Sequence, residues 1–360
     1  MKLPLALVRA ATPLFVWASS VRRRVLPPQF AILELATGIW PALALRAIVK
    51  VGIPDRLARG AATPAELARD LGLHEGSVRR ILKLLSGYDI VRELRDGRFE
   101  LTRIGRYAAS RTPGNVADFV RYVGEPWHLG PWGRLEETLR TGMPAFEIVH
   151  GSGFFEYASA HPEMGELFDN AMASVAPLHA QAVADAYDFS HASPIADIGG
   201  GSGLVLGAIL RAFPGADGIL FDLPGALKLA ERSLGPEQAR IRFEAGDFFE
   251  RAPQGAKTFV LAHILHDWDD IKALKILQNV RKVMPADGRV LIVEALLLDE
   301  PNRWSAANVT DAQMLTMLRG RERTAAEYGA LLAQAGLKLT RVIPTTAAES
   351  IVEACPSSPA

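Results

Sequence analysis

The chain has 360 residues, 49% of them hydrophobic and 22% charged, so it can form two or three globular domains and bury a sizeable core. Its 40 basic and 40 acidic residues balance, which argues against a protein that binds polyanions over its whole surface. A single cysteine, Cys355, excludes a disulfide within the chain and a metal site built from several cysteines. We therefore expect a reducing, cytoplasmic compartment.

Residues 1–29 are predicted to form an N-terminal arm. The run from Leu3 to Ser20 is largely apolar, but Arg9 and two prolines within it count against a membrane-spanning helix. The stronger basic cluster, residues 22–24, follows the apolar run, whereas a secretory signal carries its positive charge before it. An arm packed within a dimer is favoured over one that lies on a membrane surface.

The next segment reads as helices followed by a hairpin. A long apolar helix is predicted from Ala31 to Val51, with a turn or kink at Pro41. Two shorter helices follow, the second from Glu75 to Ser86, and alternating strands then flank Asp96-Gly97. This order is typical of a winged helix, so we assign residues 30–115 to a mostly helical winged-helix domain.

A winged helix raises the hypothesis of a DNA-binding regulator. Arg79, Arg80 and Lys83 would lie on the exposed side of its second short helix. Acidic residues close by leave this domain with little net positive charge: Glu66, Asp70 and Glu75. We therefore interpret the basic residues as a solvated face and expect no nucleic-acid partner.

Residues 116–190 are predicted to be a helical linker that is rich in aromatic residues and methionine. Core packing explains most of these side chains, and the same composition also suits an apolar, aromatic-lined substrate pocket. The histidines here show no metal-ligand spacing, and we predict no metal site. They are His128, His150, His161 and His179.

From residue 191 to residue 355, short apolar strands alternate with helices. Strands are predicted to begin near Pro194, Gly218, Ile241, Thr258 and Arg289, with two terminal strands near Leu337 and Ser350. This alternation predicts a doubly wound α/β domain with a largely parallel sheet. Ligands of such folds bind beyond the carboxyl ends of the strands.

A glycine loop, Asp197-Ile198-Gly199-Gly200-Gly201-Ser202-Gly203, joins the first of these strands to the following helix. Glycines there permit a tight turn and let a ligand lie against bare backbone. No Gly-Lys-Ser/Thr follows, and the third glycine of the dinucleotide fingerprint is missing. We therefore assign Asp197, Gly199 and Gly201 to a ligand other than a nucleoside triphosphate or a dinucleotide.

Polar and aromatic residues at the ends of later strands narrow the ligand class. Asp222 ends the second strand, where a carboxylate can accept hydrogen bonds from ribose hydroxyls. Asp247 and Phe248 follow the third strand and are placed for an adenine, on which Trp268 could stack. Because no basic phosphate clamp accompanies them, the ligand is an adenosine without phosphates, and S-adenosylmethionine fits.

Five motifs in order resemble the plant-type small-molecule O-methyltransferases, of the caffeate and acetylserotonin kind, and their bacterial relatives. They are the DIGGGSG loop, FDLP at residues 221–224, GDFF at 246–249, LHDWDD at 265–270 and RERT at 321–324. The resemblance implies a C-terminal Rossmann-like methyltransferase domain and an N-terminal winged helix that serves homodimerisation. It also implies that Leu223, within FDLP, contacts the cofactor.

His266 is predicted to be the general base. It lies just past the fourth strand, and a neutral imidazole suits a phenol-like hydroxyl at neutral pH. Glu294, which ends the next strand, could orient the imidazole and stabilise its cationic form. By the resemblance, Glu322 flanks the histidine from another side.

The resemblance also implies an acceptor pocket. Asp267 would contact substrate or cofactor, and four apolar residues would shape the pocket: Phe168, Met172, Met314 and Met317. The expected substrate is a hydroxylated aromatic or polyketide-like small molecule of secondary metabolism, whose identity and methylated position the sequence does not fix.

One departure from the family and three alternatives stay open at this point. Plant relatives often carry a lysine four residues before the histidine, where this chain has Ala262 followed by His263. The alternatives are an enzyme that binds the cofactor but performs other chemistry, as some relatives do, a methyltransferase that acts on nitrogen or carbon, and the DNA-binding regulator. The repurposed relatives usually alter the histidine and glutamates, all three of which are present here. We therefore favour an S-adenosylmethionine-dependent O-methyltransferase.

Overall fold

The computed structural model describes residue 25 and residues 27–357, so most of the predicted arm lies outside the described residues. The described chain divides into two compact units. The helical unit contains the described residues up to 129 together with 163–175, and the α/β unit contains 130–162 and 176–357. The predicted linker, residues 116–190, is shared between these two units.

The helical unit begins with five helices and a hairpin. The helices are α1 (Pro28–Thr37), α2 (Ile39–Lys50), α3 (Ile53–Leu57), α4 (Pro64–Leu71) and α5 (Glu75–Ser86). Strands β1 (Val91–Glu93) and β2 (Phe99–Leu101) pair antiparallel, and α6 (Ala117–Val123) follows. Ile48, Leu67, Leu82 and Phe99 lie in one buried core. The predicted mostly helical N-terminal domain with a hairpin is confirmed.

The predicted break of the first long helix is wrong in its position. The chain turns at Gly38, between α1 and α2, and Pro41 lies in the first turn of α2. A proline is tolerated there because the first backbone N–H groups of a helix have no acceptor within it.

After α6, four more short helices and one long helix lead to the sheet. They are α7 (Pro126–Trp132), α8 (Leu135–Thr141), α9 (Ala145–His150), α10 (Phe154–Ala160) and α11 (Pro162–Ala186). Residues 163–175 of α11 belong to the helical unit, and its last residues belong to the α/β unit.

Seven strands of the described residues form one sheet in the order β5-β4-β3-β6-β7-β9-β8. Their bounds are β3 (Ile195–Ile198), β4 (Gly218–Asp222), β5 (Ile241–Ala245), β6 (Thr258–Ala262), β7 (Arg289–Glu294), β8 (Leu337–Pro344) and β9 (Ser350–Pro356). β3 to β7 pair parallel, whereas β9 runs antiparallel to both β7 and β8. The predicted α/β fold is thus confirmed, with an antiparallel pair at one edge.

Helices cover both faces of this sheet and bury two apolar clusters against it. They are α12 (Leu204–Ala212), α13 (Pro224–Ser233), α14 (Asp270–Val283) and α16 (Ala325–Gln334), together with the last residues of α11. Between α14 and α16 along the chain, α15 (Ala306–Met317) packs on α8 and α9. Because β3 to β7 are parallel, their carboxyl ends meet at one edge of the sheet. The loops that leave this edge carry most of the predicted site residues.

Candidate active site

The glycine loop leaves β3 with a backbone that side chains other than glycine rarely adopt. Gly199, Gly201 and Gly203 have φ values of 67°, 53° and 71°. A Cβ on Gly199 would also lie 2.5 Å from the Cδ1 atom of Ile264, in the loop after β6. The loop therefore needs glycine both for its conformation and for its close approach to the neighbouring segment.

Asp197 lies beneath this loop with 1% of its surface exposed. Neither carboxylate oxygen has a hydrogen-bond partner among the described residues. Burial raises the pKa of Asp197 to about 7, in spite of the Leu206 backbone amide, which lowers it. A buried carboxylate left in this state suits a ligand that brings a cationic or donor group.

Asp222 ties the end of β4 to the glycine loop. Its Oδ2 accepts a hydrogen bond from the Gly201 amide at 2.8 Å, and its Oδ1 accepts one from the Leu223 amide at 2.6 Å. Burial raises the pKa of Asp222, and the two amide donors only partly oppose this. The structure thus brings three predicted cofactor residues together: Gly201, Asp222 and Leu223.

An aromatic cluster lies at the ends of β5 and β6. Trp268 packs edge-on to Phe248, with ring centroids 6.1 Å apart, and stacks on Phe155 at 5.3 Å. Asp247 precedes Phe248, and its Oδ1 accepts a hydrogen bond from the Phe249 amide at 2.7 Å. Phe155 is a residue that the motifs did not mark, because it lies on α10, far along the chain from the strand ends.

His266 lies in a single 3-10 turn, Leu265–Asp267, directly after β6. Its Nδ1 lies 2.9 Å from Glu322 Oε1 and 3.2 Å from Glu294 Oε2. All three residues are buried. Two carboxylates on Nδ1 favour a proton on that nitrogen, so Nε2 is the atom that can exchange a proton with a ligand. Asp267 Oδ1 lies 3.5 Å from Nε2.

Hydrogen bonds hold the side chain of Glu294 and the backbone of Glu322 in place. Glu294 Oε1 accepts hydrogen bonds from the amides of Ile264 and Leu265, at 3.1 and 3.0 Å. The Glu322 amide donates to Asp311 Oδ1 at 2.9 Å. The predicted catalytic group of His266, Glu294 and Glu322 is therefore one preorganised cluster at the carboxyl edge of the sheet.

The charges of this cluster differ from the neutral imidazole expected from the sequence. Burial opposes the imidazolium, but Glu294, Asp267 and Glu322 outweigh it and raise the pKa of His266 to about 10. Burial also raises the pKa of Glu294, and that of Asp267 to about 6, although His266 opposes both shifts. The carboxylates around His266 therefore favour its protonated form.

The sheet topology adds residues that the sequence did not reveal. Glu294 pairs with Ser350 across the antiparallel β7 and β9, which brings Glu349 to the same edge. His263 Nε2 lies 3.3 Å from Glu349 Oε1, and the ring of His179 lies 4.6 Å from that of His263. His263 was visible only as a neighbour of the departure at Ala262. Glu349 and His179 carried no signal in the sequence.

These side chains also bear on metal binding. Possible ligand atoms of His179, His263 and Glu349 lie within 4.8 Å of one another, as do those of His263, His266 and Glu294. The distances between them also fit ion pairs, so the absence of a metal site stays a prediction.

The residues predicted for the acceptor pocket come from two elements. Met314 and Met317 lie on α15 of the α/β unit and are buried. Phe168 and Met172 lie on the part of α11 that belongs to the helical unit, where Phe168 packs 5.8 Å from Tyr122. Their joint role in one pocket remains a prediction.

Comparison with known proteins agrees with this geometry. Residues 132–338 match the O-methyltransferase domain, and residues 33–111 match the O-methyltransferase dimerisation domain. The chain belongs to the O-methyltransferase family. The predicted resemblance is confirmed, as is S-adenosylmethionine as the methyl donor that this family uses.

Relatives of this O-methyltransferase family member include enzymes with different acceptors. A phenazine O-methyltransferase of Lysobacter antibioticus is 36% identical over 93% of this chain and 98% of its own length. An 8-amino-8-demethylriboflavin N,N-dimethyltransferase of Streptomyces davaonensis is 32% identical over 87% of this chain and 91% of its own.

A solved methyltransferase of calicheamicin biosynthesis, with S-adenosylhomocysteine bound, has a TM-score of 0.81. It is 36% identical over 92% of this chain and 98% of its own. Both O- and N-methylation therefore occur among the relatives, and the chain is a methyltransferase of this family.

Proposed function

We propose that this methyltransferase methylates a hydroxyl of an aromatic or polyketide-like small molecule, with His266 as the general base. The observation that carries the proposal is the buried imidazole whose Nδ1 faces Glu322 and Glu294. That arrangement leaves Nε2 to take the proton of an acceptor hydroxyl, while the glutamates stabilise the imidazolium that forms.

The predicted cofactor residues fit S-adenosylmethionine. When bound, it supplies an electrophilic methyl group and a positive charge. The unpartnered carboxylate of Asp197 would meet the cationic amino group of the ligand. Asp222 would accept from ribose hydroxyls, and Asp247 would accept from the adenine amino group. Phe248 and Trp268 would pack on the base, with the backbone of Gly199 and Gly201 beneath the ligand.

Only the neutral form of His266 can accept a proton. Burial lowers the pKa of His266, but the flanking carboxylates outweigh burial and raise the pKa to about 10. A cationic ligand in this part of the chain would lower that pKa, because positive charge disfavours a second cation nearby. The turnover rate should therefore rise with pH as His266 loses its proton, and fall below the pKa that applies in the loaded enzyme.

We also propose a cytoplasmic homodimer formed through the matched dimerisation domain, without nucleic-acid partners. Within the helical unit, Arg79 lies 3.5 Å from Glu75, and Lys83 lies 2.9 Å from Glu93. These pairings offset two of the basic residues that raised the DNA-binding hypothesis.

The test is the release of S-adenosylhomocysteine from S-adenosylmethionine and a pool of phenols, hydroxyquinones and hydroxylated heterocycles, followed by mass spectrometry. We expect a methyl ether from the wild type and a loss of 10²-fold or more, roughly, in His266→Ala. The exposed His191→Ala serves as a matched control and should keep the wild-type rate.

Two results would contradict the proposal. Methylation of an amine in a matched pool, with no methyl ether, would favour the N-methyltransferase alternative that the riboflavin relative represents. A wild-type rate of methyl transfer in His266→Ala would show that His266 is not the general base.

A further inference from the structure

A second imidazole–carboxylate pair, His263 and Glu349, lies next to His266. His263 follows β6, and its amide donates a hydrogen bond to the Val293 carbonyl at 3.0 Å. Its Nε2 lies 3.3 Å from Glu349 Oε1, and its Nδ1 lies 3.9 Å from Glu294 Oε2. These are charge contacts and not aligned hydrogen bonds, since His263 Nε2 and Glu294 Oε2 both lack a hydrogen-bond partner among the described residues.

The surroundings of His263 favour an imidazolium. A neutral imidazole donates from one ring nitrogen only, whereas both nitrogens of His263 face a carboxylate. Burial opposes the charge, but Glu349 and Glu294 outweigh it and raise the pKa of His263. The third titratable neighbour, His179 on α11, has a pKa lowered to about 4 by burial and by His263, so it is neutral. The fourth neighbour is His266, with ring centroids 5.4 Å apart.

The backbone conformation of His263 indicates that the surrounding structure holds its ring in place. Its φ of 55° lies in the left-handed region, which residues other than glycine seldom adopt. Such conformations persist where the surrounding structure holds them, often near functional sites. Here the conformation brings the ring between Glu294 and Glu349.

Glu294 Oε2 is shared by the two histidines. It lies 3.2 Å from Nδ1 of His266 and 3.9 Å from Nδ1 of His263. The negative charge of Glu294, Glu322 and Asp267 favours the proton on His266, whereas a cation at His263 opposes it. A base surrounded by three carboxylates needs such an opposing charge to release its proton near neutral pH.

We propose that His263, held as an imidazolium by Glu349, is a positioning residue that contacts the same carboxylate oxygen of Glu294 as His266 and helps His266 to release its proton. The inference rests on the proposed role of His266 as the base. It adds two residues, His263 and Glu349, to the control of that base.

The first experiment is an NMR titration of the intact protein labelled with ¹³C-histidine, with signals assigned by single substitutions. We expect His263 to titrate above the ordinary pKa of about 6.5. Glu349→Gln should lower the pKa of His263 by about one unit, because it removes the closer carboxylate. A His263 that is neutral at pH 7 in the wild type would overturn the inference without any variant.

The second experiment measures the turnover rate of methyl transfer against pH. His263→Asn removes the charge, and asparagine tolerates a positive φ. In this variant we expect the low-pH part of the rate profile (the acid limb), where the rate rises as His266 loses its proton, to move up by about one pH unit. A shift of this size is typical of two charges some 5 Å apart in a partly buried site. His263→Lys, which keeps a positive charge, should return the limb towards the wild-type position. The exposed His191→Gln should leave it in place.

The outcomes separate the two proposals. If the wild type transfers no methyl group, the proposed function fails, while the titration of His263 and His266 still tests the charge coupling. If methyl transfer occurs and His263→Asn lowers the rate without moving the limb, His263 is merely structural and the inference fails. Stoichiometric zinc in the purified protein, lost in Glu349→Gln, would also overturn it, since a metal-bound His263 would hold no proton on that nitrogen.

Discussion

Gly320 is the residue at which the fold leaves no room for a side chain beside the turn of His266. A Cβ added there would lie 1.9 Å from the carbonyl oxygen of His266 and 2.3 Å from the carbonyl carbon of Asp267. Both atoms belong to the backbone, so no side-chain rotation relieves the overlap. The segment that carries Glu322 can therefore approach His266 only because residue 320 has no side chain.

Gly320→Ala should displace either the turn of His266 or the segment of Glu322. We expect a fall in turnover of about tenfold or more, because a small misplacement of catalytic groups is costly. Overpacking should also lower the free energy of unfolding by ~1–3 kcal/mol. Gly215→Ala is the control, since Gly215 is exposed with nothing within 4 Å of the added Cβ. Equal turnover and stability in the two variants would contradict this account.

At the scale of elements, Arg323 joins the turn of His266 to the start of α14. Its guanidinium is buried and donates to the carbonyls of Leu265 and Trp268, both at 2.9 Å, and to Asp270 Oδ1 at 2.8 Å. The planar fork of arginine meets three acceptors at once, which the ammonium of lysine does not match in geometry. Arg323 thus holds the turn of His266 against the start of α14.

Arg323→Lys should leave buried carbonyls without a donor and lower the free energy of unfolding by about 2–3 kcal/mol. Arg321→Lys is the matched control in the same motif, because Arg321 is 43% exposed and makes surface ion pairs with Asp270 and Glu327. Such pairs contribute about 0–1 kcal/mol. Denaturant unfolding, analysed with a common m-value, measures the free energy of unfolding of both variants. A larger loss in Arg321→Lys than in Arg323→Lys would contradict the role assigned to Arg323.

Local patterns predicted the elements well where periodicity and capping agreed. Helix Glu75–Ser86 has the predicted bounds, and strand Thr258–Ala262 begins at the predicted residue. The break near Pro41 was misplaced, because proline ends a helix only when it lies beyond the first turn.

Some residues of the candidate site could be predicted from the sequence, and others could not. His266 and Glu322 lie in motifs and Glu294 ends a predicted strand, whereas Glu349 reaches the site only through the register of two antiparallel strands. The raised pKa of His266 likewise depends on packed carboxylates that no local pattern shows.

At the scale of the whole molecule, α1 and α2 present an exposed apolar surface. In the described part of the chain, the 23 residues Pro28–Lys50 are the one segment long and apolar enough to span a membrane by length and composition. Most of this segment lies within the matched dimerisation domain. Several of its large apolar side chains are exposed in the single chain, among them Leu33 at 58% and Trp40 at 64%. A surface of this kind needs a partner, and a second copy of the chain supplies one in the proposed homodimer.

The double variant Leu33→Glu/Trp40→Glu should therefore shift the protein from dimer to monomer, because burying two carboxylates in an apolar interface is unfavourable. Sedimentation velocity at several concentrations measures the assembly without dependence on activity. Ile271→Glu, on α14 and 83% exposed, changes a comparably exposed apolar residue outside the dimerisation domain and should stay dimeric. A monomeric wild type, or a double variant that sediments as the wild-type dimer, would rule out this surface as the interface. If the wild type were soluble only in detergent and the double variant were soluble without it, the apolar surface of α1 and α2 would instead be assigned to contact with a membrane.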